Sequence, residues 1–140
     1  MSSLVLDVAD AITAKLNGQT IAGEILTVNR ALVVDDKIMT SRELRIVAVP
    51  MRIEGSMASR KTRELIITVE LGIAKRCTKD EMAHMLELSE AIGEYLDGGT
   101  ILNGNGRIIA VEYSPIYDAG IFLQYGCFFS IVSITVKVFK

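Results

Sequence analysis

The chain contains no tryptophan, one histidine (His84), two cysteines (Cys77 and Cys127) and two prolines, and aromatic residues make up only 6% of it. Each shortage removes a class of chemistry. One histidine and two scattered cysteines do not assemble a zinc site, and neither cysteine belongs to a CxxC pair. Two such cysteines fit reduced thiols in a cytosolic protein better than a disulfide framework. Catalysis through His84 would need an orienting carboxylate and a nucleophile. Glu81 and Glu87 lie within one helical turn of it, on what reads as a solvated face. Charge of one sign is also scarce. Fifteen Lys and Arg stand against 17 Asp and Glu, for a net charge of −2. That balance lacks the basic density of a dedicated nucleic-acid binder. Apolar runs break before membrane-spanning length, and Asp7 and Asp10 interrupt the first of them without a basic segment ahead. We therefore expect no signal peptide, no membrane partner and a soluble, intracellular protein.

What the chain does have is apolar bulk. Half of its 140 residues are hydrophobic, and the mean hydropathy is +0.37. This length supports one α/β core and not two ordinary domains. A domain so small has much surface for its volume. The surplus predicts a subunit that hides apolar surface in an oligomer.

Periodicity predicts the elements. Val5, Val8, Ala9, Ile12 and Leu16 share one helical face over residues 3–16, with Ser3 placed to cap the start and Gly18 beyond the end. Residues 24–34 alternate as a strand through Leu26, Val28, Leu32 and Val34, and Asp35-Asp36-Lys37 marks a turn. Residues 43–54 form a second strand in which Pro50 predicts an edge or a bulge. Residues 55–62 read as a polar loop. Residues 63–75 form the clearest strand, with Leu65, Ile67, Val69, Leu71 and Ile73 on one face. Thr78 and Glu81 make a capping box for a helix over 79–96, whose buried stripe is Met82, Met85, Leu86, Ile92 and Leu96. A strand over 106–113, a loop over 114–124 and a last strand over 126–139 complete the chain. The order predicts an α+β domain: a mostly antiparallel mixed sheet with two helices packed on one face, in a single domain spanning 1–140.

The motifs carry little chemistry. Asn103-Gly104-Asn105-Gly106 lacks the spacing of a phosphate loop and leads into a strand, so it reads as a hairpin turn. Cys77 sits between Arg76 and Thr78, where Lys75, Arg76 and a helix start would lower its pKa; no second histidine is available as a base, and the other reading is a buried or half-buried thiol. Glu43, Glu54, Glu64, Glu70 and Glu112 are scattered without a shared spacing. We expect neither catalytic residues nor a metal or cofactor. One anion-seeking feature is the cluster Arg52, Arg60, Lys61 and Arg63 around the 55–62 loop. On one subunit it is a solvated loop. Repeated around a ring it becomes a basic collar, able to contact passing DNA transiently without reading its sequence.

The order of elements resembles the tail-terminator and minor tail proteins of long-tailed bacteriophages, over nearly the whole chain. The likeness runs through LDVADAITAKLNG, ILTVNRALVV, ELRIVAVP, SRKTRELIITVELGIAKR and DEMAHMLELSEAIGEYL. It is most suggestive in VEYSPIYDAG and FFSIVSITVKV, where Glu112, Pro115, Tyr117, Phe128, Phe129 and Ser130 stand at matching places. Residues 118–126 depart from it, being more apolar than the charged loop of such proteins. The resemblance implies a virion protein of the tail and neck, assembled in the host cytoplasm. It implies a homo-oligomeric ring, a hexamer, that caps the tail tube protein at its final length and meets a head-proximal connector protein. The basic loop would then face the lumen or the tube. Tyr117, Phe122, Tyr125, Phe129 and Ile131 would form the inter-subunit or partner surface, aided by the edge of the last strand. A head–tail connector or tail-completion subunit shares the same size and ring habit. A small α+β enzyme or ligand-binding domain is the reading of another class, and it calls for a concave polar pocket with a strongly shifted titratable group.

Overall fold

The sheet is built on one long antiparallel hairpin. The computed structural model describes residues 3–32, 42–57, 63–113 and 117–139. Within them, β4 (Arg45–Met57) pairs with β5 (Arg63–Arg76) from Arg45↔Ala74 to Met57↔Arg63. The alternation in β5 is obeyed: Leu65, Ile67, Val69, Leu71 and Ile73 are all buried. The last strand, β8 (Cys127–Phe139), pairs along the other side of β5, and β7 (Gly106–Tyr113) along the other side of β8. Short strands close the two ends, β3 (Val28–Arg30) beside β4 and β6 (Thr100–Ile101) beside β7. The order is β3-β4-β5-β8-β7-β6. Only β3 with β4 is parallel.

Two bulges bend this sheet. Pro50 pairs with Val69 and Arg52 with Thr68, leaving Met51 extra on β4. Ile108 pairs with Val136 and Ala110 with Thr135, leaving Ile109 extra on β7. An inserted residue adds local twist and coil. Pro50 therefore sits at a bulge, as its missing N–H requires. It also lies past Ala48, where β3 stops. Among the described residues, β4 beyond Ala48 has a strand on one side only.

Two helices cover one face. α1 (Leu4–Leu16) buries Val8, Ala9, Ile12 and Leu16. α2 (Met82–Leu96) buries Met85, Leu88, Ile92 and Leu96. Beneath them lie the inward residues of β5 and β8, including Phe128, Val132, Ile134 and Val136 at 0% exposure. Each fully buried Leu, Ile or Phe contributes about 1.5–3 kcal/mol, so this layer dominates the stability. α1 is tied to the sheet edge by Arg30 Nε, 2.6 Å from Asp10 Oδ1.

Five expectations change. The strand expected over 24–34 is instead a small hairpin, β1 (Thr20–Ile21) with β2 (Glu24–Ile25), followed by the three-residue β3. Ala22 and Gly23, both at positive φ, make the turn. Leu26 and Val28 are buried, whereas Leu32 is 67% exposed, and Val34 lies outside the described residues. Of the polar loop expected over 55–62, Gly55, Ser56 and Met57 are instead paired strand residues, and 58–62 lie outside the described residues. The stripe of α2 takes Leu88 in place of Met82 and Leu86, which are only half-buried. The region expected as a loop over 114–124 contains a third helix, α3 (Ala119–Tyr125). The backbone of Ser3 begins α1, but its side chain makes no capping bond.

Candidate assembly surface

α3 is a short helix with both ends fixed. Asp118 caps its start, with Oδ1 accepting from the Ile121 N–H at 3.0 Å. Gly126, at φ +65°, closes it in the left-handed conformation that glycine tolerates, and its N–H donates to the Phe122 carbonyl at 2.8 Å. The Asp118 N–H donates to the Phe129 carbonyl at 2.9 Å, which moors the helix to β8. Ile121 packs on Ala74, Cys127 and Phe129, a small cluster on the sheet face turned away from α1 and α2. The Tyr117 ring stacks on Phe128, with centroids 6.4 Å apart and planes 13° from parallel.

The start of α2 faces α3. A 3-10 turn (Lys79–Glu81) leads into α2. Glu81 Oε1 accepts from the Thr78 N–H at 3.4 Å and from the Thr78 hydroxyl at 3.3 Å. The Thr78 N–H, and beside it Lys75 at 3.4 Å, hold the Glu81 carboxyl below its ordinary range. Between the two helices lies an apolar groove of about 370 Å3. Met82 and Leu86 form one wall, Ala119, Phe122 and Leu123 the other, with Tyr117 and Lys79 at its ends. Leu123 is 82% exposed, an unusual position for a leucine on a capped helix. Beside the groove, an open hollow of about 430 Å3 is lined by Arg42, Arg76, Cys77, Thr78, Glu81 and Gly126. Burial pushes the half-buried Cys77 thiol up, against the smaller opposing effects of a backbone hydrogen bond at Phe128 and of Lys75. Cys127 is fully buried and its thiol is likewise pushed up by burial.

The structure gathers some of the sequence-derived residues and separates others. Tyr117 and Phe122 meet in the groove. Tyr125, 40% exposed, stands on the last turn of the same helix. Phe129 is only 5% exposed and belongs to the cluster under Ile121, while Ile131 is half-buried beside it. From Val132 to Val138 the final strand has no free edge, since there β8 lies between β5 and β7; over residues 127–131 only β5 pairs with it, and the Phe129 carbonyl on the other side accepts from the Asp118 N–H. Pairing of residues remote in sequence fixed that position, and the local pattern of β8 carries no sign of it. Of the basic set, Arg52 sits on β4 with Nε 3.3 Å from Glu54 Oε1, and Arg63 opens β5 opposite Met57. Arg60 and Lys61 lie outside the described residues, as does Pro115. His84 finds its partner across the chain, Nε2 standing 3.2 Å from Glu24 Oε1, rather than in Glu81 or Glu87. Asn103 and Gly104 lie in the turn between β6 and β7. Among the described residues, no group of three or more His, Cys, Asp or Glu is placed to hold a metal ion, and no helix is long and apolar enough to cross a membrane.

Sequence reasoning missed Met82, Leu86, Ala119 and Leu123 as groove residues. The signals were Asp118 and Gly126, a cap and a stop spaced for two helical turns. Compared with protein-family models and with curated proteins, the chain matches neither.

Proposed function

We propose that the chain is a structural subunit of a long-tailed phage or prophage, acting as a tail terminator: it closes into a ring on the tail tube, ends tube polymerisation and offers a surface for head joining. The observation that carries this reading is the groove between α2 and α3, where a capped helix holds Leu123 out at 82% exposure. Exposed, ordered apolar surface beside charged side chains is the anatomy of a protein interface. The long β4–β5 hairpin adds a second support. Past the end of β3 the outer edge of β4 has no strand beside it among the described residues, and Arg52 and Arg63 lie toward the Met57↔Arg63 end of the hairpin. Six such hairpins around an axis would set basic groups about a channel.

Electron microscopy of virions from which this chain is deleted tests the proposal. Overlong tail tubes are the expected result. Tails of normal length detached from heads would instead indicate the connector role, and intact infectious particles would overturn both.

A further inference from the structure

Unpaired charge is segregated about α2, with carboxylates along its later turns and basic side chains from β5, the 3-10 turn and residue 42 around its start. Glu87, Glu90, Glu94 and Asp97 follow a 3-4-3 spacing, which places them on one face of the helix, and all four are exposed. Among the described residues none of the four has an ion-pair partner. No basic residue lies in the last turn to offset them. Carboxylates near a helix C-terminus oppose the helix dipole, so the fold gains nothing from this stripe. Their fields converge locally: Glu94, Glu90 and Asp97, after burial itself, push the Tyr113 hydroxyl up. At the other end of α2, Arg76 and Arg42 line the hollow and Lys79 the groove, also without ion-pair partners among the described residues. Asp80 is the carboxylate among them left without an ion pair, since Glu81 is engaged by Lys75.

Lys79 and Glu94 are separated by about 22 Å along the helix. That is well over a Debye length of about 8 Å in physiological salt, so the two ends do not neutralise each other within one molecule. They can do so between molecules. We infer that the occupant of the α2–α3 groove is a second copy of this chain, which presents the acidic stripe of its own α2. The free cations Arg76, Lys79 and Arg42 would meet Glu87, Glu90 and Glu94 of the neighbour. Tyr95, 41% exposed on the adjoining side of the stripe, with its hydroxyl donating to the Lys15 carbonyl and Lys15 Nζ 5.8 Å from its ring centroid, supplies its remaining exposed ring edge to Met82, Leu86 and Leu123. The donor and acceptor surfaces differ, so head-to-tail contacts leave one of each for the next copy and can close into a ring, whereas an antiparallel two-fold pairing would fill both at once and stop at a dimer. The inference deepens the ring reading and rests on its self-assembly, but not on the identity of the tube or connector.

A charge-swap experiment on the full chain tests it. One variant carries Arg76→Glu with Lys79→Glu, the other Glu90→Lys with Glu94→Lys. All four side chains are exposed, so circular dichroism should show both variants folded. Alone, each should associate at least about tenfold more weakly than wild type in sedimentation velocity, because like charges then face each other. Mixed one to one, each groove meets a complementary stripe, and association should return. Wild-type association by either variant alone, or no recovery on mixing, overturns the inference while leaving the ring reading to the tail-length phenotype. A wild-type chain that stays monomeric to millimolar concentration also overturns it. Normal tails in the deletion virions would remove the tail-terminator function and leave the charge-swap result standing.

Discussion

A Cβ on Gly93 would lie 2.0 Å from the Tyr113 hydroxyl oxygen, so the glycine inside α2 holds open the space that the tyrosine fills. The side chain crosses from β7, and its hydroxyl donates to the Glu90 carbonyl at 3.0 Å. Helix propensity alone favours Gly93→Ala by about 1 kcal/mol. Overpacking against a ring already anchored costs about 1–3 kcal/mol. We predict that Gly93→Ala lowers the urea midpoint, with the clash outweighing the propensity gain. Tyr113→Phe should cost about 1 kcal/mol for the lost hydrogen bond. Because it removes the nearest atom, the penalty of Gly93→Ala should shrink in the Tyr113→Phe background. Equal penalties in the two backgrounds would show that the contact is not the cause.

Leu88 and Leu86 differ by two positions and by their whole environment. Leu88 is fully buried under the sheet, and Leu86 is half-buried in the groove wall. Leu88→Ala should cost about 2–5 kcal/mol, as for other buried leucines. Leu86→Ala should cost less than about 1 kcal/mol in the monomer and instead weaken self-association. Urea unfolding at low protein concentration separates the two effects. A Leu86→Ala loss as large as that of Leu88→Ala would place Leu86 in the core and remove a groove wall.

The same pair shows what the sequence could and could not tell. The 3.6-residue period locates α2, but Leu86 and Leu88 both border its apolar arc, and only the packed sheet decides between them. In β5 and β8 the alternation is nearly unbroken, so their inward faces were readable directly. The β1–β2 turn was not, because Ala22 takes a positive φ without the Asn or Asp that usually signals it. The central place of β8 was equally hidden, since strand order depends on pairings between distant residues. The groove needs α2 and α3 together, so no local pattern could announce it.

Cys77, Cys127 and Tyr113 are all displaced upward, with burial the leading cause for each. Between the ordinary thiol value of about 8.5 and the raised folded values, the unfolded chain has lost protons that the native state keeps. Stability is therefore full below about pH 8.5 and falls as pH rises through this window, with Tyr113 adding to the fall above about pH 10. Urea titrations from pH 7 to 10.5 should show that decline. Native-state alkylation at pH 8 should label Cys77 slowly and Cys127 more slowly still, because Cys127 is fully buried. Rapid labelling of both thiols in the folded protein would contradict the burial.

The outer hairpin gives a cleaner test of the basic tip than removal of residues 55–62, which would delete three paired rungs, Gly55↔Leu65, Ser56↔Glu64 and Met57↔Arg63. Replacing residues 58–62 with Asn-Gly keeps those rungs and joins Met57 to Arg63 by a two-residue turn suited to a hairpin. The substitution removes Arg60 and Lys61 and leaves every described pair of the hairpin in place, so the stability should stay within about 0.5 kcal/mol of wild type. If the tip meets the tube or the channel, the variant should form rings yet fail to restore normal tail length in the deletion phage. Arg60→Ser with Lys61→Ser, leaving the segment its full length, then separates charge from shape. Failure of both variants assigns the role to the cations. Failure of the shortened variant alone assigns it to the reach of the hairpin. Normal tails from both would remove the tip from the assembly surface and leave the α2–α3 groove as the remaining candidate.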